Sequence, residues 1–234
     1  MNTPTERRKV VIFEGPAGSG KSYLLDHMSE RFDSDMYQFP HGKLPEIERP
    51  RSYPGLIGLM HSQLKDQRSM LHVLMADEKL VFIDRWLLSQ QVYDSIRQKN
   101  VKTDPEALSY ALTLAIFGIN GMWQEHHGRM NLPAPKLELD LMFLVVTAPS
   151  TVTRSLRSGP EAGGRVYPYD ADVETACYRS AAFTLSQLMF ESINCGVTTA
   201  TIHSHSIFGA GLEARPDYAE KAIRDHFYAD LPAV

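Results

Sequence analysis

The sequence predicts an α/β fold in which a central parallel sheet carries helices on both faces. Three observations lead there: short runs that stay apolar on both pleat faces, helical patterns between those runs, and a glycine-rich turn joining the first run to the first helix. The runs fall at residues 10–13, more weakly at 36–39, then at 80–83, 139–146 and 197–202. Helical spacing follows Ser22, fills about 56–76, and resumes after Thr103-Asp-Pro-Glu106, where Thr103 can cap and Glu106 can close a capping box. Leu108, Leu112, Ala115, Ile116 and Ile119 then form a core-facing stripe. Further helices are expected at 150–156, about 171–192 and 218–228, while Pro and Gly gather as loops at 40–58, 131–135 and 158–168.

A chain of 234 residues suits one domain, 1–234, with a short polar tail over 1–8. Hydrophobic residues make up 43% and charged residues 22%, which excludes disordered, collagen-like and disulfide-rich classes. A net charge of -4 gives no global attraction to nucleic acid or an anionic membrane, so a polyanion would have to meet a local basic cluster. Cys177 and Cys195 fit neither C-x-x-C nor zinc spacing and are expected to pack as small apolar side chains, which suits a reducing cytoplasm. The polar start has no signal-peptide core and no uncharged apolar stretch is long enough to span a membrane, so a cytoplasmic protein with no membrane partner is expected. His126 and His127 point to different faces of a helix, with no carboxylate or cysteine at ligand spacing, and read as a surface pair.

The chemistry begins where the first strand ends. Val10-Val-Ile-Phe-Glu14 runs directly into G-x-x-x-x-G-K-S, made of Gly15, Pro16, Ala17, Gly18, Ser19, Gly20, Lys21 and Ser22. Glycines let the backbone turn its N–H groups around a phosphate, Lys21 can reach the outer phosphates of ATP, and the Ser22 hydroxyl can ligate Mg²⁺ while opening a helix. Glu14 lies against this loop and can help set its shape. The third strand ends in Asp84-Arg85, which emerge at the same sheet edge. Asp84 can orient Mg²⁺ or its waters, and Arg85 can hold an acceptor phosphate or stabilise the transferring group. A structural Asp–Arg pair is the plainer reading of the same dipeptide. A motor or AAA-type ATPase would show Asp-Glu at this strand end, where Asp84 is followed by Arg85, and the sequence has no N-K-x-D guanine motif of a GTPase.

Farther on, Arg154, Arg157 and Arg165 surround a Gly-rich segment at about 154–168, which reads as a lid. A lid can close over ATP, exclude water and bring arginines to the γ-phosphate, although charges in such a loop are also commonly just solvated.

Phe13-Glu14-Gly15 leading into Gly18-Ser-Gly20-Lys21-Ser22, together with Asp84-Arg85-Trp-Leu-Leu-Ser89-Gln-Gln-Val-Tyr93, resembles the thymidylate kinases within the wider group of nucleoside and nucleotide kinases. The resemblance covers about residues 9–205, and those two segments are its specific part. It implies a P-loop NTPase fold with an Arg-bearing lid, Arg85 as the acceptor-phosphate clamp, and Ser89 and Tyr93 in the acceptor pocket. It also implies Phe39 and Pro40 beside the acceptor and Arg68 near its base edge, where a solvated helix-face arginine is the alternative. The lid arginines match the family's only broadly. The reaction implied is transfer of the γ-phosphoryl of ATP to a deoxynucleoside monophosphate, dTMP first, with Mg²⁺ held by Ser22 and Asp84; similar kinases are often dimers. One departure stands out: these kinases usually carry an acidic residue at the loop position of Ala17, to contact the acceptor's sugar hydroxyl.

Two rival functions follow from the same residues. A kinase acting on a hydroxyl, of a deoxynucleoside or of a modified base or end of DNA, would want a carboxylate to take the proton, and Glu46 and Glu48 are the nearest to Phe39. Only in that reading is nucleic acid a partner. A regulatory module could also bind nucleotide without transferring phosphate.

Overall fold

The structure, a computed structural model, describes residues 4–32, 36–38, 80–159, 167, 169–188, 192–208 and 215–229. Among them are strands β1 (Thr5–Glu14), β2 (Met36–Gln38), β3 (Leu80–Asp84), β4 (Lys136–Thr147), β5 (Ser192–Cys195) and β6 (Thr198–Phe208). The helices are α1 (Lys21–Phe32), α2 (Leu87–Arg97), α3 (Pro105–Arg129), α4 (Ser150–Ser158), α5 (Ala171–Gln187) and α6 (Arg215–Phe227). They form one six-stranded sheet in the order β2-β3-β1-β4-β6-β5. The first five are parallel, as the sequence predicts, while β5 runs antiparallel to β6 at the edge.

The central strands are buried on both faces, which is why their sequences are continuous rather than alternating. In β1, Val10 and Ile12 face one core with the helices α2, α3 and α5, and Val11 and Phe13 face the other with α1 and α6. The expected α3 stripe of Leu108, Leu112, Ala115, Ile116 and Ile119 is fully buried in the first core. Trp123 completes it, its indole Nε1 donating to the Pro135 carbonyl at 3.0 Å. In the second core the Phe82 ring meets Phe13 and Phe32 edge-on.

Local differences from expectation have local causes. β1 starts at Thr5, because residues 5–8 of the expected tail pair with β4 from Lys136 to Leu139. Asp104, not Thr103, caps α3: its carboxylate accepts from Glu106 N and Ala107 N, with Pro105 at the first helical position. Thr103 is instead buried, its N–H donating to Ser180 Oγ. α5 stops at Gln187, and residues 192–195 turn back as β5 through Gly196, whose φ of 54° supplies the left-handed residue that a two-residue hairpin turn needs. His127 is buried rather than at the surface, its Nδ1 2.9 Å from the Trp123 carbonyl oxygen and its ring against that indole. Cys177 and Cys195 are free and buried, as expected. The expected helix at 56–76 lies outside the described residues. No helix among the described residues is long and apolar enough to cross a membrane.

Candidate active site

β1 and β3 are neighbours in register, Phe13 opposite Asp84, so the loop after β1 and the Asp84-Arg85 pair emerge side by side at the C-terminal edge of the sheet. The loop residues Gly15 to Gly20 span the gap to Lys21, the first residue of α1. Gly15 is required there: a Cβ would overlap the Val146 carbonyl oxygen of β4. Gly18 is overlain by α4, so that a Cβ would lie 3.2 Å from both the Arg157 Cγ and the Thr153 carbonyl oxygen.

Lys21 is almost completely buried and its ammonium is in direct contact with the Asp84 carboxylate. Burial first, and then the Arg85 charge, pull the Lys21 pKa below the ordinary lysine range. Ser22 is exposed at the opening of α1. Arg85 adopts a φ of 65°, uncommon for a side chain-bearing residue, with its N–H held by the Phe13 carbonyl at 2.9 Å. Its guanidinium donates through Nη1 to the hydroxyls of Tyr93 (2.5 Å) and Tyr178 (3.1 Å). Burial works against the Arg85 charge, but Tyr178, Tyr93 and Glu14 more than offset it, and its pKa stands above the usual arginine value.

Glu14 is fully buried and fastens the start of α2. Its Oε1 accepts from Trp86 N at 2.7 Å and Ser89 N at 3.3 Å, and its Oε2 from the Ser89 hydroxyl. Two N–H groups at a helix start are thereby satisfied by a carboxylate from another strand. Burial raises the Glu14 pKa, against the opposing pull of Ser89, Trp86, Arg85 and Lys21. Ser89 is also buried, its hydroxyl 2.7 Å from that of Tyr178 and its N–H and hydroxyl both held by Glu14. Tyr93 does reach the site, donating to Glu174 Oε1 at 3.1 Å and stacking on Tyr169.

The arginines expected on a lid divide. Arg154 and Arg157 lie on α4, a helix rather than a loop. Arg157 is buried against the phosphate loop, donating to the Ala17 carbonyl (Nε, 2.9 Å), the Tyr169 carbonyl (Nη1, 2.8 Å) and Glu174 Oε2 (Nη2, 2.5 Å). Arg154 points away, in a half-exposed ion pair with Asp172. Arg165, Phe39, Pro40, Arg68, Glu46 and Glu48 lie outside the described residues.

Glu174 was not singled out by sequence reasoning, yet it ties the site together. Its side chain is 3% exposed, and its Oε1 accepts from the Ala17 N–H at 3.1 Å as well as from Tyr93. Glu174 and Tyr178 stand four residues apart on α5, one helical face reaching Ala17 and Arg85. That spacing, just after the Asp170 cap, is the signal that could have found them. Asp170 accepts from Asp172 N at 2.8 Å and Val173 N at 3.4 Å.

The chain is similar in structure to a thymidylate kinase from Ehrlichia chaffeensis, with a TM-score of 0.51 and 13% identity, over 94% of this chain and 99% of that one. The chain has the fold of that enzyme. Thymidylate kinase from Candida albicans (TM-score 0.46, 14% identity, 94% and 92% covered) and deoxyadenosine kinase from M. mycoides with bound dATP (0.47, 10%, 92% and 98%) superpose with lower TM-scores. No family model and no curated protein matches the sequence.

Proposed function

We propose that the protein transfers the γ-phosphoryl group of ATP to the phosphate of a deoxynucleoside monophosphate, with dTMP the first candidate. The observation that carries this reading is the convergence of Lys21, Asp84, Arg85 and Arg157 on one phosphate-binding loop. An acceptor phosphate oxygen attacks the γ-phosphorus, the bond to the bridging oxygen breaks, and ADP leaves. The acceptor phosphate is already ionised near neutral pH, so positioning and charge neutralisation suffice. The donors fit Mg²⁺: the Ser22 hydroxyl and the Asp84 carboxylate are hard oxygens at the loop edge, and the ion they would hold supplies charge neutralisation to the phosphates.

In this reading Lys21 exchanges its contact with Asp84 for the outer phosphates, and Arg157 reaches the same phosphates from α4. Arg85, pre-set by two tyrosines, clamps the acceptor phosphate. Glu174 takes the part that Ala17 lacks. Its carboxylate stands at the Ala17 N–H and beside Tyr93, and is suited to accept from the acceptor's sugar hydroxyl. The same carboxylate bears on the hydroxyl-kinase reading, since it could be offered as a base. Its ion pair with Arg157 and its bonds to Ala17 N and Tyr93 suit a fixed acceptor of hydrogen bonds instead.

A panel of acceptors with γ-labelled ATP tests the proposal. Transfer to dTMP or another deoxynucleoside monophosphate is expected, with the Glu174→Gln variant losing preference for dTMP over its 3′-deoxy analogue. Labelling of free deoxynucleosides or DNA alone would replace the monophosphate reading with a hydroxyl kinase. Nucleotide binding without transfer to any acceptor would leave a binding module.

A further inference from the structure

Away from the phosphate loop, Asp140 on β4, His203 on β6 and His226 in the last turn of α6 turn their ligating atoms toward one another. Asp140 Oδ1 is 2.9 Å from His226 Nε2 and 3.5 Å from His203 Nε2. The two imidazole centroids are 4.1 Å apart, with the rings tilted by 57°. We propose that this cluster binds a divalent transition-metal ion of the zinc type.

The spacing supports a metal centre. Ligands about 2.0–2.1 Å from a tetrahedral zinc ion lie roughly 3.3–3.4 Å from each other. The two measured separations bracket that edge, and all three ligand atoms lie within 4.8 Å of one another. Both contacts converge on a single carboxylate oxygen, so the three groups surround one point instead of forming a chain. Two imidazoles and one carboxylate suit zinc rather than Mg²⁺, which prefers an oxygen-only set. The side chains remain between 21% and 39% exposed, so an ion can enter and water can complete its shell. Lys9, opposite Asp140 in β1, has its ammonium committed to the Phe227 carbonyl at 2.8 Å.

The place is distinct from the candidate active site. Asp140 lies five residues along β4 from Val145, the register partner of Glu14, roughly 16 Å at about 3.3 Å per residue. A metal there would pin the end of α6 to two strands. α6 in turn packs on α1, the helix that the phosphate loop opens. The expected role is therefore a structural clip behind the active site, one that the sequence hides by distributing its ligands over three elements.

The test titrates the chelator-treated full chain with Co²⁺ in excess Mg²⁺, without nucleotide, and then displaces Co²⁺ with Zn²⁺. One equivalent of Co²⁺ with an intense tetrahedral absorption band, bleached by Zn²⁺, is expected. His203→Ala and His226→Ala, checked for folding by circular dichroism, should each weaken binding by more than the roughly 100-fold that loss of an outer-shell partner costs. A missing tetrahedral band, or one unchanged in both variants, would overturn the proposal in favour of a hydrogen-bonded cluster. If either histidine variant fails to fold, the thermal shift on adding Zn²⁺ decides: a rise in wild type that is absent in Asp140→Asn supports the site, and an equal response in both refutes it.

Discussion

Lys21 and Asp84 hold each other in this structure, and the proposed reaction needs both elsewhere when a nucleotide arrives. The free Lys21 has a lowered pKa, and the phosphates of ATP would restore its charge. Between that lowered value and the ordinary one of about 10.4, ATP binding should therefore take up a proton, and ATP affinity should fall as the pH rises through this window. Calorimetry near pH 8 in buffers of different ionisation enthalpy should show net uptake, abolished in Lys21→Ala; uptake that persists in the variant would assign the proton elsewhere. The arginines give a second contrast. Arg157→Ala should lower turnover at saturating substrates by about 10²–10³-fold, as loss of one transition-state donor does. Arg154→Ala should change it by only a few fold, since a half-exposed ion pair contributes about 0–1 kcal/mol. Arg85→Ala should raise the acceptor KM more than the ATP KM. Equal small effects from all three would return them to structural roles. At this scale the placement of Lys21, Asp84 and Arg85 at one sheet edge was legible because each sits in a contiguous motif at the end of a strand. Glu174 was not, because its partner Ala17 lies 157 residues away.

The start of α2 shows how an element is built for the site. Two of its backbone N–H groups and the Ser89 hydroxyl depend on one buried carboxylate, Glu14. Each buried N–H left unpaired costs about 1–3 kcal/mol, so Glu14→Ala should destabilise the fold by at least about 2 kcal/mol. The urea midpoint should fall with an unchanged slope; a midpoint within error of wild type would show that water can replace the carboxylate. The central strands were legible from their continuous apolar runs, and α3 from its stripe. β5 was not: its hairpin turns on Gly-Val, without the Asn-Gly or Asp-Gly signal, and its four residues of mixed polarity fall at the end of the expected helix and in the gap beyond it. α4 was legible, but the direction of its arginines was not. One turn of helix separates a guanidinium buried on the phosphate loop from one at the surface, and only packing against Gly18 and α5 decides which is which.

In the whole molecule, strand order makes the site. Placing β3 beside β1 brings Asp84-Arg85 to the phosphate loop, and placing β4 on the other side brings α4 over that loop. This arrangement was legible because parallel strands joined by helices leave few topologies. Whether this edge transfers phosphate is decided by single-turnover transfer from γ-labelled ATP to the preferred acceptor, with wild type and a folded Lys21→Ala variant compared side by side. Labelled acceptor is expected from the wild type at a rate about 10²–10³-fold above the variant, the loss of roughly 3–4 kcal/mol of transition-state stabilisation. Equal rates in the two proteins, or no labelled acceptor from wild type, would contradict transfer at this edge.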